Sequence, residues 1–342
     1  MEKMQDARRA VLVLTYNGKN VSTDIAKSLL SFAYTDATGR LDDLDITLED
    51  RARNWQGPWS PAEGDKIKAE IRTVNWEGPG EIKKLPLGSF EVDSFEFDGP
   101  PDAVSIQAVS LPLSNGAKLE KRSKSWEKTT LKTVSGEIAK RAGLKLIYEA
   151  PDNPSYSRLE QAEQSDFAFL QDTATREGIA VKVSGGSLVL FDEFSYEQKA
   201  AVATIARGKD DVTGHSFKWS TTNKAYRSCT VTYTEAKSKK TISVTYTPPG
   251  APKTGPVLKL NEQAESKAEA LRIARKRLRE RNKEAGKARL TLMGDIRMAA
   301  TLTINIKGWG RFDGKYIIES AKHSIGGSGY TTELEIRKVL GW

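Results

Sequence analysis

With 342 residues, 38% of them apolar and seven of them Trp, the chain is too long for one core and too apolar for disorder, so two or three folded domains are expected. A single cysteine, Cys229, excludes an intrachain disulfide and a multi-cysteine zinc site, while Val11–Leu14 is too short for a signal-peptide core and no stretch approaches the ~20 apolar residues of a membrane span. The 53 Lys and Arg against 45 Asp and Glu give a formal charge of +8, which suits a polyanionic partner or a subunit of a large assembly equally well, and nothing points to secretion.

From about residue 10 to 112 the pattern is strand after strand. Leu44, Ile46 and Leu48 alternate with Asp45, Thr47 and Glu49, and Ile67, Ala69 and Ile71 repeat the alternation. "SFEVDSFEF" and "AVSIQAV" continue it, with Gly-Pro punctuation at 57–58, 78–79 and 99–101. This predicts an antiparallel β-sandwich or barrel over 1–115.

Residues 116–205 read as an α+β domain. Leu131, Val134, Ile138 and Ala142 form a helical stripe capped by Thr129 or Thr130, closed by Gly143 and followed by a strand. "SDFAFLQDTATREGIAVKV" repeats the plan: Ser165 caps, Phe167, Leu170 and Ala174 line the stripe, Gly178 stops it, and Gly185-Gly186 turns a hairpin into "SLVLF".

A second β domain is expected over 206–342. Val231 and Tyr233 answer Ile242, Val244 and Tyr246 across the "EAKSKK" loop, "PPGAPKTGP" links to a helix at about 262–286, and strands resume at Leu290. Asp313-Gly314 suggests a tight type I′ hairpin. The helix carries "RIARKRLRERNK", with seven bases (272, 275, 276, 277, 279, 281 and 283) against Glu280. Ser266 with Glu269 makes a capping box, and Ala264, Ala268, Leu271, Ala274 or Arg275, and Leu278 trace a narrow seam. Glu262, Glu265 and Glu269 lie early and the bases late, as the helix dipole favours. A docked helix with a solvated cationic face is expected first, contact with an acidic neighbour second, and nucleic-acid binding through 272–283 last, because no aromatic interleaves the bases.

The two β regions look duplicated. "GDKIKAEIRTVN" (64–75) parallels "GDIRMAATLTIN" (294–305), and Gly88-x-Phe90 followed by Val92-Asp93-Ser94 parallels Gly310-x-Phe312 followed by Ile318-Glu319-Ser320. On this alignment the first copy lengthens 76–87 and the second adds four residues at the Asp-Gly turn. A trimer of such a chain would present six similar surfaces in a ring.

"RSKSWEKTTLKTVSGEIAKRAGLKL", "RLEQAEQSDFAFLQDTATREGIAVKVSGGSLVLFDE" and "GWGRFDGKYIIESAKHSIGGSGYTTELEIRK" resemble the phage late control D family, the tail hub proteins of contractile phage tails and phage-tail-like particles. "GRLDDLDITLEDRARNWQGPWSPAEGDKIKA" and "LGSFEVDSFEFDGPPD" resemble that family's first domain. The resemblance implies a mainly β, α+β fold with two tube-like barrels per subunit, forming a pseudo-sixfold ring in a homotrimer. It implies as partners a tail spike protein, the tail tube or a tube-initiator protein, baseplate wedge proteins and the tape measure protein. Neither membrane insertion nor a specific nucleic acid is implied. Location in a virion or phage-tail-like particle, assembled in the bacterial cytoplasm, also follows. Type VI secretion hub-spike proteins look related but fuse hub and spike. Trp342 comes soon after the second β region, so the spike is expected to be a separate protein.

No catalytic, cofactor-binding or metal-ligating residue is expected. His215 and His323 lack a ligand framework, and His323 reads as a packed strand residue. Asp42, Asp43, Asp45, Glu49 and Asp50 cluster, yet they fit a strand's outer face and ends, with nothing marking a buried acid, so a cell-wall hydrolase has little support. Ser125-x-x-Lys128 has no companion motif, and Gly185-Gly186 and Gly326-Gly327-Ser328-Gly329 lack the following helix of a phosphate loop.

Overall fold

A computed structural model describes residues 7–110, 120–209, 211–220, 225–234, 239–264 and 266–342. The N-terminal β region comprises β1 (Arg9–Tyr16), β2 (Lys19–Asn20), the short helix α1 (Ser22–Ile25), β3 (Leu29–Ala37), β4 (Asp43–Glu49), β5 (Lys66–Val74), β6 (Ile82–Asp98) and β7 (Ala103–Val109). Its main strands run in the order β1-β5-β6-β7-β4-β3, all neighbours antiparallel. Alternation decides the faces: Leu12, Phe32, Ile46, Ile71, Phe90 and Ile106 point into one shared core. The sheet curls over that core; no ladder joins β1 to β3 among the described residues.

The middle region holds β8 (Lys121–Thr130), α2 (Leu131–Arg141), β9 (Lys145–Glu149), β10 (Ser155–Ser165), α3 (Asp166–Arg176), β11 (Ile179–Ser184), β12 (Ser187–Asp192) and α4 (Glu193–Gln198). Thr130 caps α2 by accepting from Thr133 N, and Ser165 caps α3 by accepting from Ala168 N. Gly143 and Gly178, at φ 67° and 69°, stop the two helices where a side chain would be strained. The deep aromatic of α3 is Phe169, stacked on Trp126 at 5.5 Å, rather than the predicted Phe167, which is only partly buried. Sequence patterning missed the ladder between β8 and β10, two polar strands whose one buried apolar side chain is this tryptophan.

The C-terminal region contains β13 (Ala203–Ala206), β14 (Val212–Trp219), β15 (Ser228–Thr234), β16 (Thr241–Tyr246), β17 (Val257–Asn261), α5 (Lys267–Asn282), β18 (Gly286–Met293), β19 (Thr303–Lys307), β20 (Gly314–Gly326) and β21 (Gly329–Lys338). The order β13-β19-β20-β21-β18-β14 repeats that of the N-terminal layer strand for strand. Four of the five neighbour pairs also agree in direction; β13 is parallel to β19 where β1 is antiparallel to β5. Where β3 and β4 are joined by 38–42, β14 and β18 are separated by 220–285, which carries the small sheet β16-β15-β17 and α5.

The duplication is therefore present, but its register differs from the one read off residue identities. β-Bulges fix it: a shift falls between Val92 and Ser94 in β6 and between Ile318 and Ser320 in β20, and another between Leu29 and Ser31 in β3 and between Val212 and Gly214 in β14. Val92-Asp93-Ser94 does match Ile318-Glu319-Ser320. Gly88-Ser89-Phe90, however, matches Gly314-Lys315-Tyr316, so no insertion is needed. Gly310–Phe312 instead form a 3-10 turn within the 308–313 connection, and Asp313-Gly314 is not a two-residue hairpin. Gly294-Asp295 is also no counterpart of Gly64-Asp65: residues 294–302 are loop, and Thr303 stands where Lys66 does. Gly294 is glycine for a different reason, since a Cβ there would lie 2.0 Å from the Tyr330 ring.

Two further expectations shift. The inserted helix is shorter, 267–282, and its buried seam is Ala270, Ala274 and Leu278, one residue round from the predicted Ala268 and Leu271, which are exposed. That seam covers Cys229, Val231 and Tyr233 of β15. Strands resume at Gly286 rather than Leu290. Glu265 and residues 235–238 of the "EAKSKK" loop lie outside the described residues.

Candidate functional site

The two layers meet along one ladder. β20 turns its C-terminal half away from β19 and pairs antiparallel with β3, from Ser320 opposite Ala37 to Gly326 opposite Ser31. A strand left at a sheet edge presents open N–H and C=O groups, and here the second copy closes the first copy's edge. Tyr34 and His323, directly opposite in this ladder, stack at 6.2 Å between ring centroids. His323 is 1% exposed; its Nε2 donates to the Met298 carbonyl at 2.9 Å, so Nδ1 accepts, with the Tyr330 hydroxyl 2.8 Å away. Burial lowers its pKa to about 4, which keeps the imidazole neutral.

The same seam carries a charged junction with the middle region. Lys182 of β11 contacts Asp36 and sits 3.1 Å from Asp42, while Asp36 also accepts from Ala300 N at 2.9 Å. Asp42 is 1% exposed, against the expectation that no acid of its cluster is buried. Burial pushes its carboxyl up to about 7 and draws the Lys182 ammonium down to about 7. Sequence could not show this, because Asp42 precedes β4 and its partner is 140 positions away in the middle region. The largely buried cluster ties both layers to the middle region.

The basic helix finds its acids inside the chain. Lys276 pairs with Glu177 at 2.8 Å, Arg277 with Glu262 at 2.9 Å, Arg279 with Glu197 at 2.9 Å, Lys283 with Glu193 at 3.1 Å, and Arg272 approaches Glu269 at 3.8 Å. Arg275 instead lies over the Phe194 ring. The centre of this network is Arg337 of β21, 2% exposed and held by Glu197, Glu193 and Glu319 at 2.7, 3.2 and 3.2 Å. Burial works against its charge, yet these carboxylates hold its pKa above the usual arginine value. The clamp spans α4, α5, β20 and β21. The adjoining cleft, of about 770 Å³, is lined by Arg275, Lys276 and Lys283 but also by Glu177, Glu193 and Glu280, so its charges largely cancel and it offers little to a polyanion.

The remaining sequence candidates do not converge. His215 is exposed on β14, its ring 5.7 Å from that of Trp309. Ser125 and Lys128 are exposed on β8 on either side of buried Trp126. Asp50 caps the 53–59 turn by accepting from Trp55 and Gln56 N. Gly185-Gly186 and 326–329 are hairpin turns. Among the described residues no group of three His, Cys, Asp or Glu is placed to hold a metal, and no helix is long and apolar enough to cross a membrane.

The fold is thus a duplicated β layer joined through the β3–β20 ladder and bound to the middle region by ionic clamps. The chain belongs to the YQBQ-like family, whose model matches residues 160–337. It is 24% identical over 378 residues to the "Probable baseplate hub protein" of Escherichia phage 186, covering 96% of this chain and 92% of that one. It is 30% identical over 203 residues to the protein of the same description from Escherichia phage P2, covering 58% of this chain and 47% of that one. Its fold is similar to that of a tail protein from Neisseria meningitidis MC58, with a TM-score of 0.72 at 13% identity over 98% of both chains. This is a phage-tail baseplate hub protein, a structural component of the virion and not an enzyme.

Proposed function

We propose that the chain acts as a homotrimeric symmetry adaptor, joining the sixfold tail tube to a threefold membrane-piercing spike in a contractile particle. The observation that carries this reading is the repeated strand order with coincident bulges. Three chains supply six equivalent layers, which suits a sixfold neighbour, while the middle region and the 220–285 insertion occur once per chain and suit a threefold one. On this reading 1–115 and 206–342 are the tube-like units and 116–205 is the unit between them. The tube or tube-initiator protein, the spike, the baseplate wedge and the tape measure protein are its neighbours. The internal pairing of α5 supports protein contacts over nucleic-acid binding. Mass photometry of the purified chain, alone and mixed with its spike protein, tests the reading. One trimer binding one trimeric spike is expected; a monomer that ignores both spike and tube proteins would overturn it.

A further inference from the structure

Because β6 and β20, and β3 and β14, share their bulges, the residues of these paired strands can be matched one to one. Counting from the bulges, Ser94 to Asp98 of β6 correspond to Ser320 to Ser324 of β20, and Ser31 to Ala37 of β3 correspond to 214–220. Within the chain, β20 uses these residues to pair with β3. Their counterparts are left over: among the described residues, β6 over 94–98 is paired only with β7, and β14 only with β18.

The leftover edges are also where aromatic surface is exposed. Of the four Phe and Trp side chains more than a third exposed among the described residues, Phe95 (39%), Phe97 (36%) and Trp219 (45%) lie on these two strands. One chain cannot bring its own edges together if the β3–β20 step is repeated, since the repeat carries β14 onto the next copy.

We propose that β14 of one subunit adds antiparallel to residues 94–98 of β6 in the next copy of this chain, so that the β3–β20 ladder inside each subunit alternates with an equivalent ladder between subunits. This rests on the trimeric reading above and supplies its contact. Transferring the register Ser320–Ala37 through the bulges puts Ser94 opposite Ser220, Phe95 opposite Trp219, Glu96 opposite Lys218, Phe97 opposite Phe217 and Asp98 opposite Ser216. The side chains suit such a seam: two aromatic pairs fall on one face and an opposite-charge pair on the other, each a favourable cross-strand combination. Phe97 opposite Phe217 takes the place that His323 opposite Tyr34 holds within the chain. The ladder ends at Asp98, because Gly99-Pro100-Pro101 follows and proline has no N–H to give. The contact is head-to-tail, which excludes a twofold dimer and, with a threefold rotation between copies, closes a ring of three.

Directly opposed antiparallel residues lie ~4.5–5.5 Å apart at Cα, within disulfide reach. The test is therefore oxidation of E96C/K218C full-length protein, with Cys229 left in place because it is buried, read on a non-reducing gel beside the native mass of each variant. Covalent trimer is expected from the double variant and none from either single variant. In parallel, E96K or K218E alone should weaken self-association by about tenfold or more, and the charge swap E96K/K218E should restore it. Restoration rules out misfolding as the cause. A wild-type trimer whose double-cysteine variant does not cross-link, or whose single variants cross-link to dimers, overturns this seam and leaves the trimeric reading standing. A wild-type chain that stays monomeric with and without its spike overturns both.

Discussion

Asp93 and Glu319 occupy the same position twice: each is the extra residue of a bulge in the long strand of its layer, between Val92 and Ser94 and between Ile318 and Ser320. In the C-terminal layer the bulge serves the clamp, for Glu319 reaches Arg337 and Lys287. Its backbone carbonyl also accepts from Thr38 N at 3.0 Å at the seam between layers. A bulge resets which side chains face inward, and a one-residue slip exchanges the two faces of everything beyond it.

Deleting Glu319 is expected to turn Ala321 and His323 to the wrong face and leave the protein insoluble or unfolded. Glu319→Gln keeps the bulge and loses charge pairing only, for about 1–3 kcal/mol. Urea unfolding of the two variants separates the backbone role from the charge role.

Arg337→Met is expected to destabilise by about 3–5 kcal/mol, because Glu197, at 0% side-chain exposure, then keeps Arg279 alone of its ion-pair partners among the described residues. Combining Arg337→Met with Glu197→Gln should recover part of the loss, since it removes the acid left underpaired. A chemical-denaturation double-mutant cycle checks this; additive losses would contradict it.

His323 supplies a pH dependence with a definite sign. Its pKa falls from 6.5 to about 4 on folding, so between these values the unfolded chain binds more protons than the folded one. Stability is thus complete above pH 6.5 and is lost as pH falls towards 4, by up to about 3 kcal/mol. His323→Gln should remove this component, visible as a flatter melting temperature from pH 7 to 4.5 relative to wild type.

Nucleic-acid binding through α5 is expected to be weak and nonspecific. Charge reversal at Arg275 and Arg281, the two of the seven bases without an ion pair among the described residues, should leave retention on single- or double-stranded DNA at physiological salt unchanged. Tight binding with a steep salt slope that these changes abolish would contradict the account.

Local chemistry carried much of the fold into the sequence. The helix caps at Thr130 and Ser165, the stops at Gly143 and Gly178 and the Val231–Val244 hairpin pairing are all set by neighbours a few residues away. The repeat was also legible, but identities at Gly-Asp and Gly-x-Phe misplaced its register, because glycine recurs for unrelated reasons such as the Tyr330 ring over Gly294. Only pairing and bulges define equivalence, and those are long-range. The same limit hid the burial of Asp42, whose partner Lys182 is 140 positions away, and the acids that meet α5, for Glu177, Glu193 and Glu197 lie 82 to 99 positions from their bases. The free edges at Phe95–Phe97 and Phe217–Trp219 read as ordinary strand residues until their paired counterparts are known.

The central claim is that one chain supplies two equivalent positions of a six-position ring. Electron cryo-microscopy of the purified hub viewed down its axis tests it most directly. The account predicts three copies of the 37.7 kDa chain, with a β ring of strong sixfold rotational symmetry and only threefold symmetry where the middle region and α5 lie. A ring whose β layer is threefold only, or particles of one chain, would contradict it.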